Sequence, residues 1–269
     1  MVILWGLVGA ALFFGGVAGG KVLLLTLALG SLSELMELLN RVGYRLNWGL
    51  LYALLLGLGG AFFDIFPHPL MAAITLTTLT HLPTRRPIII GFNPAAAALA
   101  DALTPQRPHN LAVALGALLI IYFGFGSLAA IHSIAHAHSL WWVIWAVAVI
   151  KFSDANAYLF GTHFGRRRIA PTISAHKSYE GLFGAVLAGL ILGVYGAPLF
   201  PNLWIGPILG PLLSLLGSLG DLAESALKRA AQVKDSGNTL PGIGGLLDLT
   251  DSLIFASPAA FIFIRFFAQ

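Results

Sequence analysis

The stretch 220–252 carries the densest set of residues that can do chemistry. It reads GDLAESALKRAAQVKDSGNTLPGIGGLLDLTDS. On a helix, Asp221, Glu224, Ser225 and Lys228 recur at i, i+3, i+4 and i+7, so they share one face. Because a long apolar run precedes them, that face must point into protein or water and away from lipid.

Two further aspartates, Asp248 and Asp251, lie three residues apart at the head of the last apolar run. Together with Asp221 they offer the hard oxygen ligands that Mg²⁺ prefers when it also binds water and substrate phosphates. The alternative is that these are acidic residues favoured by the dipole at helix starts. The lysines and arginines of the same stretch favour the metal site. Whether a second cation binds beside the first stays open.

A second polar stretch, residues 151–181, reads KFSDANAYLFGTHFGRRRIAPTISAHKSYEG. Asp154, Asn156 and Glu180 lie in or beside apolar helices, where polar and charged side chains are costly and usually functional. The basic and hydroxyl residues around them suit phosphate. These are Arg166, Arg167, Arg168, Lys177, Ser174 and Ser178, before a helix expected to begin near Glu180. For the three arginines alone, an anchor on the cytoplasmic side is an equal alternative.

The histidines at 132–138 (HSIAHAH) have a spacing that suggests zinc, with His132 and His136 at i and i+4. The segment lacks the glutamate of a zinc-protease motif and lies opposite the basic loops. We therefore expect a solvated loop there. The chain contains no cysteine, which excludes disulfides and thiolate metal sites.

The elements that must position these groups are membrane helices. Hydrophobic residues make up 58% of the 269 residues and charged residues 10%, with a mean hydropathy of +0.87. Since a span needs about 20 apolar residues, we predict an all-α polytopic transmembrane bundle of about nine helices. The predicted helices are 2–20, 22–39, 48–65, 69–82, 110–131, 139–161, 181–199, 203–227 and 246–266. The short run 69–82 and the broken run 87–103 are candidates for re-entrant segments.

The basic residues predict the orientation of this bundle. With nine helices, twelve of the fifteen Lys and Arg residues fall in loops on one side. By the positive-inside tendency that side is cytoplasmic, with the N-terminus in and the C-terminus out. This distribution explains the net charge of +4 without nucleic acid. We expect one multi-pass domain in the cell membrane (1–269), with N-terminal helices in 1–138 and the catalytic helices and loops in 139–269.

The stretch 220–252 resembles the signature of the phosphatidate cytidylyltransferase (CDP-diacylglycerol synthase) family. That signature runs Ser-x-apolar-Lys-Arg, four residues, Lys-Asp-x-small, Pro-x-His-Gly-Gly and Asp-Arg-x-Asp. The matching positions are Ser225, Lys228, Arg229, Lys234, Asp235, Gly237, Leu240, Pro241, Gly244, Gly245, Asp248 and Asp251. Stretch 151–181 looks like two further blocks of the family, at Ser153, Asp154, Ala157, Tyr158, Ile173, Ser174, Lys177, Glu180 and Gly181. The chain departs from the signature at Ile243 and Leu249, where the family has His and Arg.

The resemblance implies attack by a phosphatidate oxygen on the α-phosphorus of CTP, with release of pyrophosphate. It implies catalytic roles for Asp221, Lys228, Asp248 and Asp251, with the three aspartates holding Mg²⁺. The substrate-binding residues it implies are Asp154, Asn156, Tyr158, Ser174, Lys177, Glu180, Ser225, Arg229, Lys234 and Asp235. A homodimer is suggested by the resemblance only.

Four other functions are alternatives. A CDP-alcohol phosphotransferase is disfavoured because its Asp-Gly-x-x-Ala-Arg pattern is absent. A CTP-dependent lipid or polyprenol kinase, or a cytidylyltransferase for another phospholipid, stays open, and product analysis separates them. An ion-coupled transporter would use intramembrane Asp154 and Asp221 for its ion, but the chain shows no repeated halves.

Overall fold

The computed structural model describes residues 16–44, 108–134, 139–239 and 244–268. The long helices are α1 (Gly16–Val42), α2 (Pro108–Ser133), α3 (Ser139–Phe164), α4 (Tyr179–Gly196), α5 (Ile205–Ala230) and α6 (Leu246–Phe267). All six are long and apolar enough to cross a membrane. The predicted class, a polytopic transmembrane helical bundle, is therefore confirmed.

The predicted helices from residue 110 onward agree with α2 to α6 to within three residues at each end. The predicted break between residues 20 and 22 is wrong, because α1 runs without interruption through Lys21. A lysine can extend its ammonium group along the helix toward water, so the backbone need not end there. The predicted helices 48–65 and 69–82, the broken run 87–103 and most of 2–20 lie outside the described residues.

A short antiparallel hairpin joins α3 to α4, where only a polar loop was expected. Its strands are β1 (Arg168–Ala170) and β2 (Ser174–Ser178), with Arg168 opposite Ser178. Ser178 ends the hairpin and caps α4, since its Oγ accepts a hydrogen bond from the backbone N–H of Gly181 (3.1 Å). The hairpin thus fixes where α4 begins. A single 3₁₀ turn, Ala197–Leu199, follows α4.

Helices α4 and α5 touch along their backbones. A side chain on Gly193 would overlap the carbonyl oxygen of Gly206, and one on Gly206 would overlap that of Gly193. Small residues allow this approach, which holds transmembrane helices together by close van der Waals contact. At the same end of the bundle, the indole N–H of Trp145 donates to the Leu192 carbonyl (2.9 Å).

The opposite end of the bundle gathers the polar residues. There α1, α3 and α5 end, α4 and α6 begin, and contacts cross between them. Glu34 of α1 accepts from backbone N–H groups at the start of α6. Lys177 of the hairpin approaches Asp221 of α5. The stretches 151–181 and 220–252, which are separate in sequence, therefore meet at this end.

Candidate active site

Three carboxylates converge between α5 and α6. Asp221 and Glu224 are one turn apart on α5, and Asp251 faces them from α6; one ligand oxygen from each lies within 4.8 Å of the others. We call these three residues the carboxylate cluster. Gly220 permits the close approach, because a side chain there would lie 2.7 Å from the Asp251 backbone carbonyl oxygen. Glu224 and Asp251 are buried, and Oε1 of Glu224 has no hydrogen-bond partner.

Such a cluster fits a divalent metal ion. Its donors are hard carboxylate oxygens, the type that Mg²⁺ and Ca²⁺ prefer. The unpartnered Oε1 of Glu224 is an acceptor removed from water, which is costly unless a cation or donor reaches it. Among the residues that the structure describes, this is the one group of three potential metal ligands.

Two lysines accompany the cluster. Lys228 is buried between Oε2 of Glu224 (2.7 Å) and Oδ1 of Asp248 (2.5 Å), so it joins α5 to α6. Lys177 Nζ lies 2.9 Å from Oδ2 of Asp221 and brings the hairpin to α5. Each lysine neutralises part of the negative charge that the carboxylates concentrate here.

Asp248, predicted as a metal ligand, lies outside the cluster. Its Oδ2 accepts hydrogen bonds from the Ser236 backbone N–H (2.9 Å) and the Gly245 N–H (2.8 Å), and lies 2.9 Å from the Ser236 hydroxyl, whose single proton it shares with Glu34. Its Oδ1 accepts from Lys228. Asp248 therefore caps α6 and ties its start to Ser236. We call the described residues between α5 and α6, 231–239 and 244–245, the connecting loop. Glu224, which the sequence placed on the same face as Asp221 without a role, completes the cluster instead.

Asp154, singled out as a costly intramembrane charge, belongs to a polar trio that adjoins the cluster. Lys151 Nζ donates to the Ser252 hydroxyl (2.7 Å) and lies 3.3 Å from Asp154 Oδ2. The Ser252 hydroxyl donates to the same Asp154 oxygen (2.8 Å). The Ser252 backbone N–H in turn donates to Asp251 Oδ1 (2.6 Å), which connects the trio to the cluster. Lys151 was not predicted as a site residue, although a lysine amid apolar residues carries the same signal as Asp154.

Two predicted substrate-binding residues anchor the hairpin. Glu180 Oε2 accepts from the backbone N–H groups of Arg166 (3.1 Å) and Arg167 (3.2 Å). Arg229 Nε donates to the Ile173 carbonyl at the hairpin turn (3.3 Å). These contacts hold the hairpin against the ends of α3 and α5, and so set the position of Lys177.

The other predicted residues lie around the site without a contact to the cluster. Asn156 donates to the carbonyl of Phe152 on its own helix (2.9 Å), and Tyr158 is 69% exposed. Ser174 and Ser225 are half-buried, and Lys234 and Asp235 are exposed on the connecting loop. The solvated loop expected at 132–138 is wrong for His132, because α2 continues to Ser133 and buries that residue to 3% exposure. His136 and His138 lie outside the described residues.

Glu34 is a site residue that was not predicted from the sequence. This α1 residue is 5% exposed and lies under the connecting loop. Its carboxylate accepts from the hydroxyls of Ser236 (2.7 Å) and Thr239 (2.5 Å), and from the N–H groups of Leu246 (2.9 Å) and Leu247 (2.8 Å). The available signal was a glutamate within an apolar run of the N-terminal half, the same signal that identified Asp154.

Fold and site together define a multi-spanning helical membrane protein with a lysine-flanked carboxylate cluster at one end of its bundle, two of whose three members are buried. The chain belongs to the cytidylyltransferase family, whose sequence model matches residues 1–267.

Individual relatives agree. A phosphatidate cytidylyltransferase of Staphylococcus epidermidis is 30% identical over 245 residues, 89% of this chain and 88% of that protein. One of Staphylococcus aureus is 35% identical over 159 residues, 58% of this chain and 60% of that protein. The uncharacterized protein YnbB of Escherichia coli is 44% identical over 128 residues, 46% of this chain and 42% of that protein.

Proposed function

We propose that this chain transfers the cytidylyl group of CTP to phosphatidate, giving CDP-diacylglycerol and pyrophosphate. The observation that carries the proposal is a lysine-flanked carboxylate cluster at one end of a membrane bundle of the cytidylyltransferase family. The choice of phosphatidate as the lipid acceptor rests on two relatives that are named phosphatidate cytidylyltransferase. The site also has the composition that such a reaction between two anions requires.

The resident metal in this proposal is Mg²⁺, held by Asp221, Glu224 and Asp251. The cluster, its neighbouring lysines and the carboxylates that pair with them carry the charge of the site. They are five carboxylates (Asp154, Asp221, Glu224, Asp248 and Asp251) and three lysines (Lys151, Lys177 and Lys228). With all of them ionised, two negative charges remain, which one divalent cation neutralises. When bound, the metal supplies polarisation of the α-phosphate and charge neutralisation for the departing pyrophosphate.

The chain's own cations hold the substrates. Lys177 pairs with Asp221 and Lys228 with Glu224, and both ammonium groups can also donate to phosphate oxygens, which are charge-assisted acceptors. A phosphatidate oxygen then attacks the α-phosphorus, a new P–O bond forms, and the bond to the bridging oxygen of pyrophosphate breaks. The attacking phosphate is already ionised near neutral pH, so positioning and charge neutralisation do most of the work.

The lipid approaches, in this proposal, along an apolar groove beside the hairpin. The groove has a volume of about 670 Å³ and is lined by Phe160, Phe164, Arg167, Tyr179, Glu180 and Phe183. Aromatic walls suit acyl chains, and Arg167 is placed for an anionic headgroup. Tyr179 and Glu180 directly follow the hairpin strand that carries Lys177, so the groove adjoins the site.

In this proposal the site lies on the cytoplasmic side of the cell membrane. The end of the bundle that carries it also carries basic residues: Arg41, Arg166, Arg167, Arg168, Lys177, Lys228, Arg229 and Lys234. The positive-inside tendency assigns such an end to the cytoplasmic side, where CTP is available. A homodimer and the division of the single domain at residue 138 stay predictions.

A different phospholipid acceptor is the second candidate, and Leu249 favours it. Where the family signature has an arginine between the two aspartates, Leu249 is 7% exposed and packs in the core of the bundle. The site therefore lacks a fixed cation at that position, which a different headgroup would tolerate. Ile243, the other departure from the signature, lies outside the described residues.

The test is pyrophosphate release by the detergent-purified protein with CTP, phosphatidate and Mg²⁺, with the lipid product identified by mass spectrometry. CDP-diacylglycerol and pyrophosphate in equal amounts support the proposal. CDP with a phosphorylated lipid would identify a kinase instead, and turnover with another phospholipid would identify the second candidate. Ion-driven uptake into proteoliposomes without nucleotide turnover would identify a transporter.

A further inference from the structure

Glu34 is the one described α1 residue whose side chain reaches the connecting loop through several hydrogen bonds. Both of its oxygens accept two bonds each, one from a hydroxyl and one from a backbone N–H at the start of α6. A buried carboxylate with four donors is well satisfied, and each bond to an ionised acceptor is stronger than a neutral one. The carboxylate therefore ties the loop and the helix start to α1 at once.

The backbone of the connecting loop packs closely against the Glu34 carboxylate. A side chain on Gly245 would overlap Oε2 of Glu34 and the Ser236 hydroxyl, and one on Gly237 would lie 2.7 Å from Oε1. The loop backbone is thus packed directly on the carboxylate, and glycine at these two positions permits it. Movement of Gly237 or Gly245 away from the carboxylate would break the hydrogen bonds that Glu34 accepts from the neighbouring residues.

Glu34 and Asp248 hold the same hydroxyl. The Ser236 Oγ lies 2.7 Å from Glu34 Oε2 and 2.9 Å from Asp248 Oδ2. Asp248 in turn accepts from Lys228, which pairs with Glu224 of the carboxylate cluster. A continuous series of polar contacts therefore runs from α1 to the proposed metal ligands.

We propose that Glu34 is a positioning residue for the proposed reaction. It fixes the connecting loop and the start of α6, so that Asp248 holds Lys228 and α6 presents Asp251 to the metal. The inference rests on the proposed function for its catalytic consequence and on hydrogen bonds alone for its structural one. It makes α1 part of the catalytic unit, whereas the N-terminal helices were predicted only as membrane spans.

The test compares Glu34→Gln with Glu37→Gln. Glu37 is the matched control, because it lies on the same helix with its side chain 52% exposed and, among the described residues, is paired only with Arg41. Glutamine at position 34 keeps the size but turns an N–H₂ group toward two donors. We expect backbone N–H exchange at residues 245–248 to rise roughly tenfold or more, as loss of charge-assisted bonds implies. The Glu37 variant should exchange like wild type.

The catalytic arm measures activity against Mg²⁺ concentration. If Glu34 positions the metal ligands, its variant needs about tenfold more Mg²⁺ for half-maximal activity. A global loss of folded protein lowers the maximal rate and leaves that concentration unchanged, which would overturn the proposal. Unchanged exchange at 245–248 would overturn it as well.

Two further variants keep the test decisive. Thr239→Val removes one donor and keeps the carboxylate, so it should fold and show the same two changes, roughly threefold each. Glu34→Asp, which keeps the charge, should recover part of the loss. Failure of the proposed function is distinguishable: wild type would then make no CDP-lipid, while exchange at 245–248 would still respond to Glu34.

Discussion

Replacement of Glu224 by glutamine separates a metal site from a purely structural set of carboxylates. Glutamine keeps the shape and can still accept a hydrogen bond from Lys228, which lies 2.7 Å from Glu224 Oε2. It removes one of the three negative charges whose oxygens lie within 4.8 Å of each other. The substitution should therefore weaken metal binding without opening the bundle.

The magnitude follows from Coulomb's law. With an effective dielectric constant of about 20, two unit charges 4.8 Å apart interact by about 3.5 kcal/mol. Without metal, glutamine relieves two such repulsions and weakens one ion pair, so the metal-free variant should be at least as stable as wild type. With metal, a carboxylate 4 Å from a divalent cation contributes about 8 kcal/mol, twice the value for two unit charges. This is an upper bound on the loss, because the amide oxygen of glutamine can remain a ligand. We expect a loss of tenfold to several hundredfold.

Thermal unfolding with and without Mg²⁺ measures both expected effects, the stability of the metal-free variant and its weaker stabilisation by the metal. At a Mg²⁺ concentration 100 times its dissociation constant, wild type gains about 2.7 kcal/mol; a thirtyfold weaker variant gains about 0.9 kcal/mol. The variant should thus unfold no earlier than wild type in a chelator, gain less from Mg²⁺, and lose activity. Glu37→Gln is the control. Equal stabilisation of both proteins by Mg²⁺ would refute the assignment of Glu224 to the metal.

Three further predictions concern the surroundings of the cluster. Lys228→Met leaves Glu224 and Asp248 without their shared cation and should lower the unfolding free energy by roughly 3–5 kcal/mol, with loss of activity; unchanged thermal unfolding would contradict this. Gly193→Ala forces a methyl group against the carbonyl oxygen of Gly206 and should cost about 1–3 kcal/mol in thermal unfolding, with an unchanged Mg²⁺ requirement in the protein that remains folded. Removal of divalent metal by chelation should weaken CTP binding at least tenfold, since the uncompensated carboxylates repel a nucleotide triphosphate; equal affinity with and without Mg²⁺, by titration calorimetry, would contradict it.

The sequence was most informative where side chains repeat at helical spacing. Asp221, Glu224 and Lys228 share a face in any helix, and Asp251 could be added to them because charges are costly in apolar runs. The choice between Glu224 and Asp248 as the third carboxylate could not be made that way. It depends on Ser236 and Gly245, which surround Asp248 with donors only once the connecting loop is folded.

The hairpin and Glu34 show why the remainder was not predictable. The hairpin is eleven residues from Arg168 to Ser178, and its strands are too short to give a period-two pattern. Glu34 contacts residues more than 200 positions away in sequence. No local pattern contains such a pair. A glutamate within an apolar helix nevertheless indicates a functional position, because a charge there is costly.

The lysines explain how a cluster of buried carboxylates can be both stable and ready for substrate. Buried like charges must be neutralised, and Lys177 and Lys228 do this within the protein. A divalent cation that binds the same carboxylates makes the pairs of Lys177 with Asp221 and of Lys228 with Glu224 redundant, which leaves donors on both ammonium groups available to phosphate oxygens. Metal binding then changes the site from one with two net negative charges, which repels anions, to a neutral one whose cation and ammonium groups can contact phosphate oxygens. For a reaction between a nucleotide triphosphate and an anionic lipid, this neutralisation is what catalysis needs most, because both reactants must approach the same few ångströms of protein.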